Sequence, residues 1–183
     1  LALNGCFVSA GFDGAVSVWG YGGADTESRV SLLSRTVLRD NAPALCVASN
    51  GDSLVAAGTR SGTLHVMRMG DDGGMSPAAL RQQLVPNAVL SRCVGSVDAV
   101  RVAENDVYAL VGASSAAGAG RIYRVSVCES SLSRAVIVAS SPHGLSAMDH
   151  SDAAGLVAAA SGSVTDDERP GDGQLVLLDA RCG

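Results

Sequence analysis

The stretch Cys6-Phe7-Val8-Ser9-Ala10-Gly11-Phe12-Asp13-Gly14-Ala15-Val16-Ser17-Val18-Trp19 decides how this chain is read. Two β-prone runs flank Asp13-Gly14, a pair that favours chain reversal because glycine takes a positive φ without a side-chain clash. The first run ends in small residues and the second alternates apolar with polar or small ones. Together they describe a hairpin.

The same unit returns further along. Leu54-Val55-Ala56-Ala57-Gly58-Thr59-Arg60-Ser61-Gly62-Thr63-Leu64-His65-Val66-Met67 repeats it, and its turn glycine, Gly62, stands 48 residues after Gly14. A looser third copy runs from Val107-Tyr108-Ala109-Leu110-Val111 to Gly120-Arg121-Ile122-Tyr123-Arg124-Val125. The fourth runs from Leu156-Val157-Ala158-Ala159-Ala160 across an insertion, 163–172, to Gly173-Gln174-Leu175-Val176-Leu177-Leu178-Asp179. Two more strand candidates separate successive hairpins in a fixed order: 30–38, 80–90 and 132–139 first, then 44–48, 97–103 and 145–148. Pro86 interrupts 80–90, and proline cannot donate to a central ladder, so the first of each pair is expected at an outer edge.

Four strands per unit, recurring at about 40 to 50 residues, is the period of propeller blades. The expected fold class is all-β, with about four four-stranded antiparallel blades over 1–40, 41–91, 92–140 and 141–183. The segment Ser9 to Trp19 resembles the second half of a WD repeat: small residues, an Asp-containing turn, alternating apolar residues and a closing Trp. In the fourth copy Leu178-Asp179-Ala180-Arg181 stands where that family has Trp-Asp and a basic residue. The resemblance implies a WD40-type β-propeller, usually a ring of about seven blades. The chain starts at the end of an inner strand and stops after a third strand, so the expectation is a partial ring, completed by more of the same polypeptide or by a partner. Departures from the family pattern are plain. Gly20 replaces the final Asp, Met67 and Val125 replace Trp, and Ser61 and Ala119 occupy the turn-Asp position. The Gly-His pair that opens a WD repeat is also missing, with His143-Gly144 an inverted relic. These are residues that the family's side-chain hydrogen-bond network uses.

Composition agrees with a chain of short strands. Of 183 residues 47% are hydrophobic but only 3% aromatic, and the 22 glycines supply turn chemistry. All 13 basic residues are arginine, scattered along a chain of net charge −5, which disfavours the clustered positive surface that nucleic acid requires. No apolar run is long enough for a membrane-spanning helix. Five cysteines without a C-x-x-C pair, and no Asn-x-Ser/Thr acceptor, point to buried reduced thiols in an intracellular protein, cytoplasmic or nuclear.

The search for chemistry is brief. His65 lies within a strand candidate and is assigned a structural or surface role. A metal site needs three or four convergent ligands; His143, Asp149, His150 and Asp152 are the nearest approach, but they straddle opposite ends of the strand 145–148. There is no Gly-x-Ser-x-Gly elbow and no phosphate loop, and the acidic run 166–168 reads as a solvated loop. No catalytic residue, cofactor or metal is expected.

A rigid ring with loops on two faces suits multivalent protein recognition. The leading expectation is therefore a non-catalytic WD-repeat adaptor that binds other proteins. The resemblance places each hairpin turn and each link into an inner strand on one face, with Phe12, Asp13, Arg60 and Ser61 as candidate contact residues. Packing of Phe12 against the adjacent blade is the competing account of that residue. An enzyme or small-ligand propeller with a metal or quinone in the central channel is the main alternative. A structural subunit of a coat, pore scaffold or translation complex is a third.

Overall fold

The computed structural model describes residues 2–3, 5–21, 30–70, 74–75, 80–83, 95–112, 120–129, 131–141, 144–145, 147–151, 154–160 and 175–179, and every regular element among them is a strand. Sheet 1 holds β1 (Ala2–Leu3), β2 (Cys6–Ala10), β3 (Ala15–Tyr21) and β4 (Val30–Val37). Sheet 2 holds β5 (Ala44–Ser49), β6 (Leu54–Thr59), β7 (Thr63–Arg68) and β8 (Leu80–Gln83). Sheet 3 holds β9 (Val97–Ala103), β10 (Asp106–Val111), β11 (Gly120–Ser126) and β12 (Val136–Ser141). Sheet 4 holds β13 (Ala147–Ser151), β14 (Leu156–Ala160) and β15 (Leu175–Asp179). Each sheet is an antiparallel meander whose spatial order follows the sequence.

The β2–β3 and β6–β7 hairpins superimpose in register. Ala10 pairs with Val16 as Gly58 pairs with Leu64, so Ser17 and His65 are equivalent, as are Asp13 and Ser61. Both turns close on a glycine at positive φ, Gly14 at 69° and Gly62 at 78°, whose N–H donates to the carbonyl three residues back. A side chain at either position would strain the turn.

The sheets pack face to face in chain order, and three apolar clusters fill the spaces between them. Val8, Val16, Val18 and Leu38 meet Ala44, Val55, Ala57 and Met67 between sheets 1 and 2. Leu54, Ala56, Leu64 and Val66 meet Val97, Val100, Val107 and Ala109 between sheets 2 and 3. Tyr108, Leu110 and Ile122 meet Leu145, Met148, Val157 and Ala159 between sheets 3 and 4. Because strand side chains alternate in direction, a sheet with two neighbours must be apolar on both faces. That explains the uninterrupted run Leu54–Thr59, every residue of which is buried.

The end sheets keep one such face open. Leu32 and Val37 of β4 and Leu175 and Leu177 of β15 are exposed. Close packing elsewhere is set by glycine. A Cβ on Gly58 would come within 2.3 Å of Val97 Cγ1 and 2.7 Å of Cys46 Sγ, so sheets 2 and 3 approach as they do only because that methyl is missing.

Two strands begin later than the sequence suggests. The candidate 132–139 becomes Val136–Ser141, because Ser133 exchanges hydrogen bonds with the Ser126 backbone and holds the preceding residues in a turn. The candidate 145–148 becomes Ala147–Ser151, because the chain first crosses Gly120, where an added Cβ would lie 2.4 Å from the Leu145 nitrogen. Within 80–90 only Leu80–Gln83 is described as strand, and the residues around Pro86 lie outside the described residues. The expectation of buried thiols needs correction at Cys128, which is exposed; Cys6 and Cys46 are partly buried and all three are free thiols. Cys46 donates weakly to the carbonyls of Gly58 and Val97, and burial pushes its thiol up to about 12.

Candidate interaction face

Asp40, in the link from β4 to β5, is where the sequence was least informative and the structure is most specific. Its Oδ2 accepts hydrogen bonds from Thr59 Oγ1 at 2.8 Å and Ser61 Oγ at 2.7 Å. Each hydroxyl has one proton to give. Ser61 has therefore spent its proton on Asp40 and accepts from Thr63 Oγ1, 2.9 Å away. His65 is fully buried and its Nε2 lies 3.1 Å from Asp40 Oδ1, at the distance of an ion pair but without the alignment of a hydrogen bond. Burial pushes the Asp40 carboxyl up; the Ser61 and Thr59 hydroxyls, the His65 ring and the Ala42 N–H outweigh it, and the group sits below its ordinary value.

This cluster ties the link to the second hairpin, and backbone bonds tie the same link to the first. Leu38 N donates to Gly14 O at 2.8 Å and Ala44 N to Gly11 O at 3.1 Å, while Arg60 N donates to Pro43 O at 2.9 Å. Pro43 and Ala44 are adjacent, so the two hairpin turns are held side by side with the link between them. The four candidate residues thus share one end of sheets 1 and 2.

They are not equivalent there. Phe12 is 77% exposed at the tip of its turn, so its ring does not pack against the neighbouring sheet. Arg60 is also exposed. Asp13 turns back to receive Arg35 Nη2 at 2.7 Å and the Ala15 N–H at 3.2 Å; the Arg35 hydrogen bond lowers its pKa first, then the Ala15 N–H. Ser61 is half-buried and committed to Asp40.

A second polar location lies on the inner strands, where Ser49, Asn50, Arg101, Asp149 and His150 line a cavity of about 320 Å³. Its groups are occupied in holding the fold. Asn50 Oδ1 accepts the N–H groups of Asp52, Ser53 and Leu54, and Arg101 Nε donates to Asp149 Oδ1 at 2.9 Å across sheets 3 and 4. Asp149 and His150 fall inside β13 rather than beyond the end of a strand, while His143 and Asp152 lie outside the described residues. Among the described residues no three His, Cys, Asp or Glu side chains converge as a metal site would require. The insertion 163–172, with its acidic run, is outside the described residues as well.

Solved structures resolve what four meandering sheets stacked in this order amount to. The Dos1 propeller is similar over 97% of this chain with a TM-score of 0.64 at 16% identity, and the WD40 β-propeller domain of Doa1 over 97% with 0.50 at 13%. The chain has a WD40-type β-propeller fold. BamB from Moraxella catarrhalis, also similar over 99% of the chain at 17% identity, gives 0.45. This chain spans 42% of the Dos1 propeller chain and 48% of the Doa1 domain chain, so its four sheets are blades of a partial propeller. No family model matches the sequence, and no curated protein matches it.

Seen as a blade, sheet 2 differs from the WD-repeat pattern in where its polar residues stand. That pattern opens a repeat with histidine and puts aspartate in the turn; here Asp40 precedes the inner strand, Ser61 fills the turn and His65 sits in the third strand. The signal available in the sequence was the pairing of an acidic residue just ahead of a strand with Thr-x-Ser-x-Thr and a histidine in the next hairpin.

Proposed function

We propose that this propeller is a non-catalytic protein-interaction scaffold, a WD-repeat adaptor or a subunit of a larger intracellular assembly, and that Phe12, Asp13, Arg60 and Ser61 mark its binding face. The observation that carries this reading is the exposure of Phe12 on a turn that the link 38–44 holds rigidly beside Arg60. Preorganised aromatic and arginine side chains concentrate binding energy, because little conformational entropy remains to be lost on docking. Asp13 and Ser61 serve differently: one fixes Arg35 and the other holds the link. The open apolar faces of blades 1 and 4 are covered by further blades, supplied by the same polypeptide or by a partner.

The test compares proteins retained by tagged wild type and by the double variant Phe12→Ala, Arg60→Ala, quantified by mass spectrometry. Loss of a defined set of proteins from the variant is the expected result. Both side chains are exposed, so an unchanged melting temperature separates lost binding from lost fold. Identical partner sets would remove this face from consideration.

A further inference from the structure

We infer that this face takes an acidic protein segment bearing one apolar anchor, with the anchor against Phe12 and carboxylates on Arg39 and Arg60. The inference rests on the scaffold reading and adds the chemistry of the partner. Arg39 lies in the same link as Asp40 and, like Arg60, is exposed; neither forms an ion pair with a carboxylate among the described residues. The two acids nearby are already committed. Asp13 is bonded to Arg35, and Asp40, only 14% exposed, is turned inward to Thr59, Ser61 and His65. What the turns and link present outward is therefore an aromatic ring, the mutually neutralised Asp13–Arg35 pair and two further guanidinium groups.

The charge of the molecule sharpens this. Its net charge is −5, yet the described residues around these two turns and their link carry Arg35, Arg39 and Arg60 against Asp13 and Asp40. At the opposite end of the strands the described turns and adjoining residues carry Asp52, Glu104, Asp106 and Glu129 against Arg68 and Arg134. Among the described residues an acidic segment is thus drawn to the turns of blades 1 and 2 and repelled from the turns at the opposite end of the strands, which orients it before contact. Guanidinium forks suit carboxylates because they donate two parallel hydrogen bonds, and an exposed aromatic ring gives an apolar side chain a surface to cover. Two arginines are too few to hold a polyphosphate backbone against the negative charge of the whole chain.

Fluorescence anisotropy on the full chain tests this with four labelled probes: a short glutamate-rich peptide with a central leucine, its lysine counterpart, the glutamate peptide with glycine for leucine, and a single-stranded oligonucleotide. The glutamate–leucine peptide should bind about tenfold or more tighter than the other three, and more weakly as salt rises. Combining Arg39→Glu with Arg60→Glu should abolish that binding and bring in the lysine peptide instead. Phe12→Ala should weaken it with the salt dependence kept. Equal or better binding of the lysine peptide or the oligonucleotide through these residues would overturn the acidic partner while leaving the face in place. Binding of the glutamate peptide that ignores all three substitutions would place it elsewhere and overturn the inference. If no peptide binds, yet Phe12→Ala, Arg60→Ala still loses cellular partners, the inference fails and the scaffold reading stands; if partners are also retained, both fail.

Discussion

In blade 1 the turn carboxylate belongs to Asp13, points to solvent and is held by Arg35. In blade 2 the equivalent position is Ser61, and the carboxylate comes instead from Asp40 in the preceding link, buried against a fully buried histidine. The strand position equivalent to His65 in blade 1 is Ser17, which with Ser9 and Trp19 looks out on the open side of the sheet. On that side Trp19 Nε1 donates to Ser9 Oγ at 2.8 Å, with Phe7 stacked on the indole at 6.1 Å. The difference is one of neighbours. A polar lock placed on the face between two blades is desolvated by the blade that precedes it, and blade 1 has no preceding blade among the described residues. The better-written repeat is therefore the less buried one.

Breaking the buried lock should have the largest effect. Asp40→Ala takes the acceptor from the Thr59 and Ser61 hydroxyls and the carboxylate from beside the buried His65 ring. Removing one partner of a buried polar cluster costs about 3 kcal/mol. Urea denaturation should show a loss of that order, with Asp40→Asn milder because the amide keeps the shape and one acceptor. A loss within error would mean that the apolar contacts of Val16, Val18, Val55 and Met67 alone hold blades 1 and 2 together.

Next in size is Gly58→Ala. Blade 1 carries Ala10 at the same register position without difficulty, whereas blade 2 would drive the new methyl into Val97 and Cys46. Overpacking of this kind costs about 2 kcal/mol. Val97→Ala should recover part of it in the double variant, and the absence of recovery would show that the strain is relieved elsewhere.

The acid limb of stability sharpens the comparison further. A carboxyl with a depressed pKa in the folded state stabilises fully above its unfolded value, and that contribution disappears as pH falls through the folded value. Asp40 is depressed below 3.8, so the advantage of wild type over Asp40→Asn should be complete at neutral pH and shrink below about pH 4. Asp13 and Asp149, also depressed, are present in both proteins and cancel from the difference. A difference that is flat from neutral to strongly acid pH would mean that Asp40 stabilises through shape and not charge.

The propeller fold was legible because hairpin chemistry is local: Asp13-Gly14 and Ser61-Gly62 announce their turns within a few residues, and strand order then follows from the recurring period. The phase of the intervening strands was less so. Leu132 and Leu145 read as strand residues, but Ser133 is bound into a turn and Leu145 lies across Gly120. The lock in blade 2 was hidden for a different reason. Its members, Asp40 and His65, are 25 residues apart and meet only because blade 1 delivers its link to the top of blade 2. The WD-repeat pattern has its carboxylate in the turn, where this blade has Ser61, and not in the link, where this blade has Asp40. Phe12, by contrast, stands out as a candidate in the sequence because a large aromatic at a hairpin tip is visible there, whereas its exposure is a property of the folded chain.

The smallest effect is expected at the residue that most closely matches the family pattern. Asp13→Ala removes an ion pair whose two side chains are 56% and 48% exposed, and water replaces what is lost. It also removes the acceptor for the Ala15 N–H, but the turn keeps its own backbone bond from Gly14 N to Gly11 O and the bond from Ala44 N to Gly11 O. The denaturation midpoint should therefore stay within error of wild type, where Asp40→Ala shifts it clearly. High salt should leave the Asp13→Ala and wild-type midpoints equally close, since screening acts on exposed pairs first. A clear drop in Asp13→Ala would mean that the exposed turn, and not the buried interface, anchors the hairpin, and the contrast between the two blades would lose its physical basis.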